Sequence, residues 1–124
     1  MGTWGVGNFD DDDARNFLDS LIRQLKESIE ASLIPDNLKQ PSFLEKYGDS
    51  KVVPAIDIIC TLCEHYDNPP SLELATVENW REIYLQVYDD MVGSYGTELE
   101  YEKERRKAVA DTFERLEEIV KKWS

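Results

Sequence analysis

Basic residues are scarce in this sequence of 124 residues. Fourteen lysines and arginines stand against 26 aspartates and glutamates, and the formal net charge is −12. A surface with this excess of negative charge repels phosphate groups, so neither nucleic acid nor an anionic membrane is expected as a partner. Basic proteins and cations remain as possible partners. Excess charge also keeps a small protein soluble, and charge alone therefore does not establish a binding function.

The shortage of basic residues is greatest in the middle of the chain. Between Val52 and Glu98, Arg81 is the only lysine or arginine, against nine acidic residues. From Leu99 to Ser124 the two signs balance, with seven acidic and seven basic residues. The whole negative excess therefore lies before Leu99.

Long hydrophobic runs are also missing. No apolar stretch approaches the roughly 20 residues that a membrane-spanning helix needs. The first residues lack a basic segment followed by an apolar one, and Val6 does not fit the myristoylation pattern that Met1-Gly2 would begin. We therefore expect a cytoplasmic protein, and the length predicts a single helical domain over residues 1–124.

Cysteine and histidine are too few to build a familiar reactive site. Cys60 and Cys63 form a C-x-x-C motif, but they lie deep inside an apolar helical pattern instead of at the start of a helix. There is no second cysteine pair, and His65 projects away from Cys60, so a zinc site lacks ligands. We predict buried, inert thiols, a structural His65, no cofactor and no identifiable catalytic residue.

Apolar residues recur at three- and four-residue steps, and no segment alternates every two residues, which predicts an all-α fold. The expected bundle has four main helices and a short helical turn. In the first helix, one apolar stripe contains Ala14, Phe17, Leu18, Leu21, Ile22, Leu25 and Ile29. The predicted segments are Asp12–Leu33, a turn from Pro41 ending at Gly48, a helix capped by Asp49 or Ser50 and reaching Tyr66, Thr76–Val92 stopped by Gly93, and Thr97–Trp123.

Glycine and aromatic residues are concentrated at the start of the chain. Gly2, Gly5 and Gly7 permit a tight loop that carries Trp4 and Phe9 inward, so we expect this loop to dock on the bundle.

Four aspartates, Asp10 to Asp13, follow this loop directly. One of them is sufficient to cap the first helix, and the others face basic side chains or water. Asn8, Asp10 and Asp12 imitate part of a calcium loop, but Asp13 stands where such a loop needs glycine. The sequence leaves open whether the motif formed by Trp4, Phe9, Asp10, Asp12 and Asp13 is structural or forms a pocket.

The opening resembles a bacterial family of small uncharacterised proteins, domain of unknown function 4259, with the pattern M-G-x-W-G-x-G-x-F-(D/E)-(N/D)-D-x-A. The positions that fit are Met1, Gly2, Trp4, Gly5, Gly7, Phe9, Asp10, Asp12, Asp13 and Ala14, with Asp11 where asparagine is common. A weaker likeness covers Asn68-Pro69-Pro70-Ser71-Leu72 with Val77 and Trp80. The resemblance implies a compact, mostly helical bacterial domain. It brings no assigned activity and no functional residues.

Two hypotheses about function remain. The first is a protein-interaction module, for example an immunity-type protein covering a nuclease toxin, whose acidic face binds a basic partner. The alternative is an enzyme or cation-binding protein that uses the aspartates after Phe9, with Arg105 or Arg106 opposite. The oligomeric state stays open, because the apolar stripe from Val109 to Trp123 fits either a dimer seam or a core. The candidate partner-binding residues are Asp57, Glu64, Glu78, Glu82 and Asp89.

Overall fold

The computed structural model describes residues 7–95 and 99–124 of the chain. Helices make up most of these residues and no strand occurs among them, so the predicted all-α class is confirmed. The predicted docked loop around Trp4 lies outside the described residues. The helices are α1 (Asp12–Ser32), α2 (Pro35–Leu38), a π-helix (Leu44–Val52), α3 (Val53–His65), α4 (Leu74–Tyr95) and α5 (Leu99–Lys122).

The start of α1 is determined by one of the four aspartates. A side-chain oxygen of Asp11 accepts the backbone N–H of Ala14 at 2.7 Å, which satisfies a donor that the helix itself leaves open. Asp12 and Asp13 occupy the first turn, where negative charge suits the helix dipole. The helix ends at Ser32, within one residue of the prediction, shortly before Pro35.

The prediction of a turn that stops at Gly48 is wrong. The π-helix continues directly into α3, and the N–H of Val53 donates to the carbonyl of Gly48, five residues back. Gly48 is buried against α4, and a Cβ added there would collide with the hydroxyl of Tyr84. Glycine is therefore needed at this position for close packing, and no cap at Asp49 or Ser50 is required.

The turn predicted at the consecutive prolines is present. Two residues after α3 ends at His65, Asp67 has a left-handed backbone with φ 50°, and the N–H of Asn68 donates to the carbonyl of Cys63 at 3.0 Å. This is the 6→1 hydrogen bond of a Schellman motif, which ends a helix. The next helix, α4, begins at Leu74 and continues past Gly93 to Tyr95, so the predicted stop at Gly93 is also wrong.

In the packed helices, α3 takes the central place. It packs against α1, against the π-helix and against α5, and α5 also packs against α4. Fully buried side chains from all five of these helices meet in one core. No helix in the described ranges has the length and apolar character needed to cross a membrane. The largest buried side chains are Tyr84, Phe43, Phe113, Leu18, Ile29, Ile56, Ile59 and Leu116.

Candidate functional site

The aspartates of the N-terminal motif form local hydrogen bonds. Asp10 accepts the N–H of Gly7 at 2.7 Å through its side chain, which closes a tight turn before the helix. Asp11 caps α1, while Asp12 and Asp13 are exposed in the first helical turn. The described part of this motif therefore has an evident structural role at the start of α1.

Arg15, which sequence reasoning did not single out, joins this motif to the end of α3. Its Nε donates to the carbonyl of Phe9 at 2.9 Å and its Nη1 donates to the carbonyl of Tyr66 at 2.7 Å. The rings of Phe9 and Tyr66 are 4.4 Å apart, centroid to centroid. A guanidinium group with several donors is suited to this role because it can satisfy carbonyls from two chain segments at once.

Asn68 extends this link to the proline turn. It is only 3% exposed, and its side-chain oxygen accepts from Nη1 of Arg15 at 3.1 Å. Its amide nitrogen donates to Oδ1 of Asp19 at 2.8 Å and to the carbonyl of Pro69 at 3.0 Å. Partly buried hydrogen bonds of Arg15 and Asn68 thus hold the first turns of α1 against the proline turn.

The predicted placement of Arg105 or Arg106 opposite the N-terminal aspartates is wrong. Arg105 donates to Asp49 of the π-helix at 2.6 Å, and Arg106 donates to both carboxylate oxygens of Asp89 on α4, at 2.8 and 3.0 Å. Both guanidinium groups therefore join α5 to other helices.

The five acidic residues proposed as a partner-binding face occupy two helices that both pack on α5. On α3, Asp57 and Glu64 share Arg115 of α5, at 2.8 and 2.9 Å. On α4, Asp89 pairs with Arg106. Glu78 and Glu82 are exposed on the surface of α4. Three of the five carboxylates therefore lie beside an arginine that offsets their charge.

An apolar groove of about 360 Å³ lies between α1 and α3. Leu21, Gln24 and Leu25 form its α1 wall, and Ile58 and Leu62 form its α3 wall. We call these five residues the α1–α3 groove. Their spacing of three or four residues places them along one side of each helix. The groove thus forms because the apolar stripes of α1 and α3 are wider than the part of each helix that the core buries.

Exposed apolar side chains mark this groove. Ile58 is 48% exposed, and Phe17, one helical turn before Leu21, is 62% exposed. Phe17 lies at an open edge of the apolar stripe predicted for α1, whereas Leu18 and Ile22 of the same stripe are buried in the core. Single exposed apolar residues are ordinary, but a contiguous apolar surface often marks an interaction site.

Acidic residues continue the α1 side of the groove at both ends. Asp13 is four residues before Phe17, and Glu27 is three residues after Gln24, so each lies one turn beyond the apolar stretch. Both are exposed. The α1 wall is therefore an apolar segment with a carboxylate at each end.

The thiols are buried, as the sequence predicted. Cys60 is 0% and Cys63 is 2% exposed, and both are free. Burial raises the pKa of Cys60 to about 12 and that of Cys63 to about 11, so neither thiol forms thiolate readily at neutral pH. His65 is exposed and lies edge-on to Tyr66. Within residues 7–95 and 99–124, no group of three or more His, Cys, Asp or Glu side chains is placed to hold a metal ion.

Comparison with known proteins gives a family for the chain. A family model described as Domain of unknown function (DUF4259) matches residues 2–123. Comparisons with curated proteins and with solved structures found no match. The chain belongs to the DUF4259 family, as the resemblance predicted.

Proposed function

We propose that this member of the DUF4259 family is a non-enzymatic interaction module, and that the α1–α3 groove receives an amphipathic, basic helical segment of a partner protein. The observation that carries the proposal is the exposure of Phe17 and Ile58 beside an apolar groove in a chain of net charge −12. The groove supplies apolar contact, and the surrounding charge selects the sign of the partner.

The size of the apolar surface suits a helix. From Phe17, beside the groove, to Leu25, this side of α1 covers nine residues, a length of about 12 Å at the helical rise. An amphipathic helix that places apolar side chains at i, i+3, i+4 and i+7 covers a surface of this length. Phe17 is 62% exposed, so covering it removes on the order of 100 Å² of apolar surface from water, which favours association.

The charge around the groove favours a basic partner. Asp13 and Glu27 lie at the two ends of the α1 wall, where lysine or arginine side chains on a bound helix would meet them. Asp57 and Glu64 lie on the side of α3 that faces α5, where Arg115 offsets part of their charge, so they contribute only at longer range. The wider acidic surface, which includes Glu78, Glu82 and Asp89, adds long-range attraction that speeds encounter and weakens with salt.

Three synthetic helical peptides of about five turns test this proposal. The first combines a leucine stripe with lysines, the second keeps the stripe and replaces the lysines with glutamates, and the third keeps the lysines and scatters the leucines. We expect only the first to bind and to shift the amide NMR signals of Leu21, Leu25, Ile58 and Leu62. Binding should weaken as salt is raised, because the peptide and protein charges are screened.

A pair of variants separates the groove from the general charge of the protein. Phe17→Asn with Ile58→Thr should weaken binding of the leucine–lysine peptide by about tenfold or more, which corresponds to roughly 1.4 kcal/mol. Tyr101→Asn is the matched control, because Tyr101 is 65% exposed and belongs to α5. Equal binding of the scattered peptide, or equal loss in the Tyr101 control, would contradict the proposal.

A further inference from the structure

A second cleft, of about 160 Å³, lies where the π-helix, α4 and α5 meet. It is separate from the α1–α3 groove and shares no residue with it. Its walls combine apolar, aromatic and carboxylate side chains with one guanidinium group. The lining residues are Leu44, Glu45, Asp49, Tyr88, Val92, Tyr101, Glu102 and Arg105.

The backbone beside this cleft is unusual. The π-helix is nine residues long, and most π-helical segments in proteins are single turns that occur frequently at functional sites. Its Gly48 allows the ring of Tyr84 to pack directly against the helix. The Tyr84 hydroxyl is buried and has no hydrogen-bond partner in the described part of the chain.

Glu102 carries the main observation. This residue lines the cleft but is only 9% exposed, and its Oε1 is buried without a hydrogen-bond partner among the described residues. Tyr88 donates to the backbone carbonyl of Glu102 at 3.1 Å, so this bond positions the backbone and does not satisfy Oε1. A buried carboxylate without a partner is costly, so a cation that reaches it gains a strong interaction.

The remaining charges determine which ligand fits. Arg105 is bonded to Asp49 at 2.6 Å, so these two residues largely neutralise each other. Glu45 and Glu102 are then the uncompensated charges of the cleft, and the rings of Tyr88 and Tyr101 provide aromatic faces. In an adjoining cleft of about 150 Å³, Arg106 is likewise paired with Asp89, and Lys103 lines that cleft without lining the first.

We infer that this cleft binds a small aliphatic ammonium ion, with the ammonium group at Glu102 and the alkyl chain against Leu44, Val92 and the tyrosines. Carboxylates and aromatic faces are the groups that recognise organic ammonium ions. The volume is well below the roughly 300–1,000 Å³ of sites for drug-sized ligands, which excludes a nucleotide or an oligosaccharide. The inference does not depend on the α1–α3 groove.

Titration with n-butylamine, with n-butanol as its uncharged match, tests the inference by NMR. The amine should shift the signals of Tyr88, Val92, Tyr101 and Glu102, and the alcohol should not. Glu102→Gln should weaken amine binding by about tenfold or more, while Glu104→Gln, an exposed carboxylate two residues away, should change it by less than about twofold. Phe17→Asn, beside the α1–α3 groove, should leave amine binding unchanged.

A second variant keeps the test valid if Glu102→Gln impairs folding. Tyr101→Ala removes a 65% exposed ring and should weaken amine binding by about threefold at an unchanged melting temperature, as the loss of an exposed cation–π contact predicts. Equal shifts with butanol, an equal loss in Glu104→Gln, or no shift at millimolar amine would each overturn the inference.

Discussion

Neighbouring residues on α3 face two different kinds of surface. Asp57 lies beside Arg115 of α5, together with Glu64, so its charge is offset within the protein. Ile58, the next residue, lies in the α1–α3 groove and is 48% exposed. One side of the helix is thus closed by another helix and by ion pairs, and the other side is open and apolar.

The difference shows where the protein has interaction capacity left. Asp57 and Glu64 of α3 already pair with Arg115 of α5, and a further ionic contact at these three side chains would have to replace an existing one. Apolar side chains in the α1–α3 groove are still in contact with water, so a partner that covers them binds favourably without disrupting an existing contact. The proposed binding function follows from this contrast.

The largest expected effect on stability is the difference between a Phe→Ala substitution in the core and the same substitution beside the α1–α3 groove. Phe113 is fully buried against Tyr84, so Phe113→Ala should lower the free energy of unfolding of the protein by about 3–5 kcal/mol. Phe17→Ala should change it by less than about 0.5 kcal/mol, because the side chain is 62% exposed. Chemical denaturation measures both, and similar losses would show that Phe17 belongs to the core after all.

Gly48→Ala should have the next largest effect. The added Cβ would collide with the Tyr84 hydroxyl, so we expect a loss of about 1–3 kcal/mol from overpacking.

Tyr84→Phe provides the control for that prediction. It removes a buried hydroxyl that lacks a partner in the described residues, so alone it should be close to neutral or stabilising. Combined with Gly48→Ala it should recover part of the lost stability. A double variant with no recovery would contradict the close packing of Gly48 on Tyr84.

The smallest effect is expected for the ion pairs that close α5 onto α3. Arg115→Gln should lower the unfolding free energy by about 1 kcal/mol or less, since the guanidinium and both carboxylates are partly exposed to water. The loss should shrink as salt is added, because screening weakens what the pair contributes. A larger loss that is independent of salt would mean that Arg115 acts through packing.

The helix pattern could be predicted because its causes are local. The bounds of α1 follow from the Asp11 cap and the apolar spacing, both of which lie within the segment itself. The π-helix could not be predicted, because Gly48 looks like a helix stop in the sequence. Glycine is needed there for packing against Tyr84, which belongs to another helix. Periodicity also placed Phe17 on the apolar stripe of α1, but it does not tell which part of a wide stripe a neighbouring helix covers.

The candidate sites were less predictable for the same reason. Arg15 and Asn68 are 53 residues apart, and their hydrogen bond depends on where α3 ends relative to α1. The sequence indicated many carboxylates, but which of them pair with arginines is determined by the packing of α5 on α3 and α4. The sequence places Glu102 where the apolar stripe of α5 should continue, but it does not tell whether a charged residue there is buried.

Site-specific photocross-linking in cells that naturally produce the protein tests the central claim most directly. A photoreactive phenylalanine analogue at position 58, in the α1–α3 groove, or at position 17, one helical turn before it, would sample a partner bound there. The same analogue at position 101 would sample an exposed site on α5. We expect positions 17 and 58 to cross-link to the same protein through a basic, amphipathic helical segment, with no such product from position 101. No cross-linked product from positions 17 and 58, or the same product from all three positions, would contradict the account.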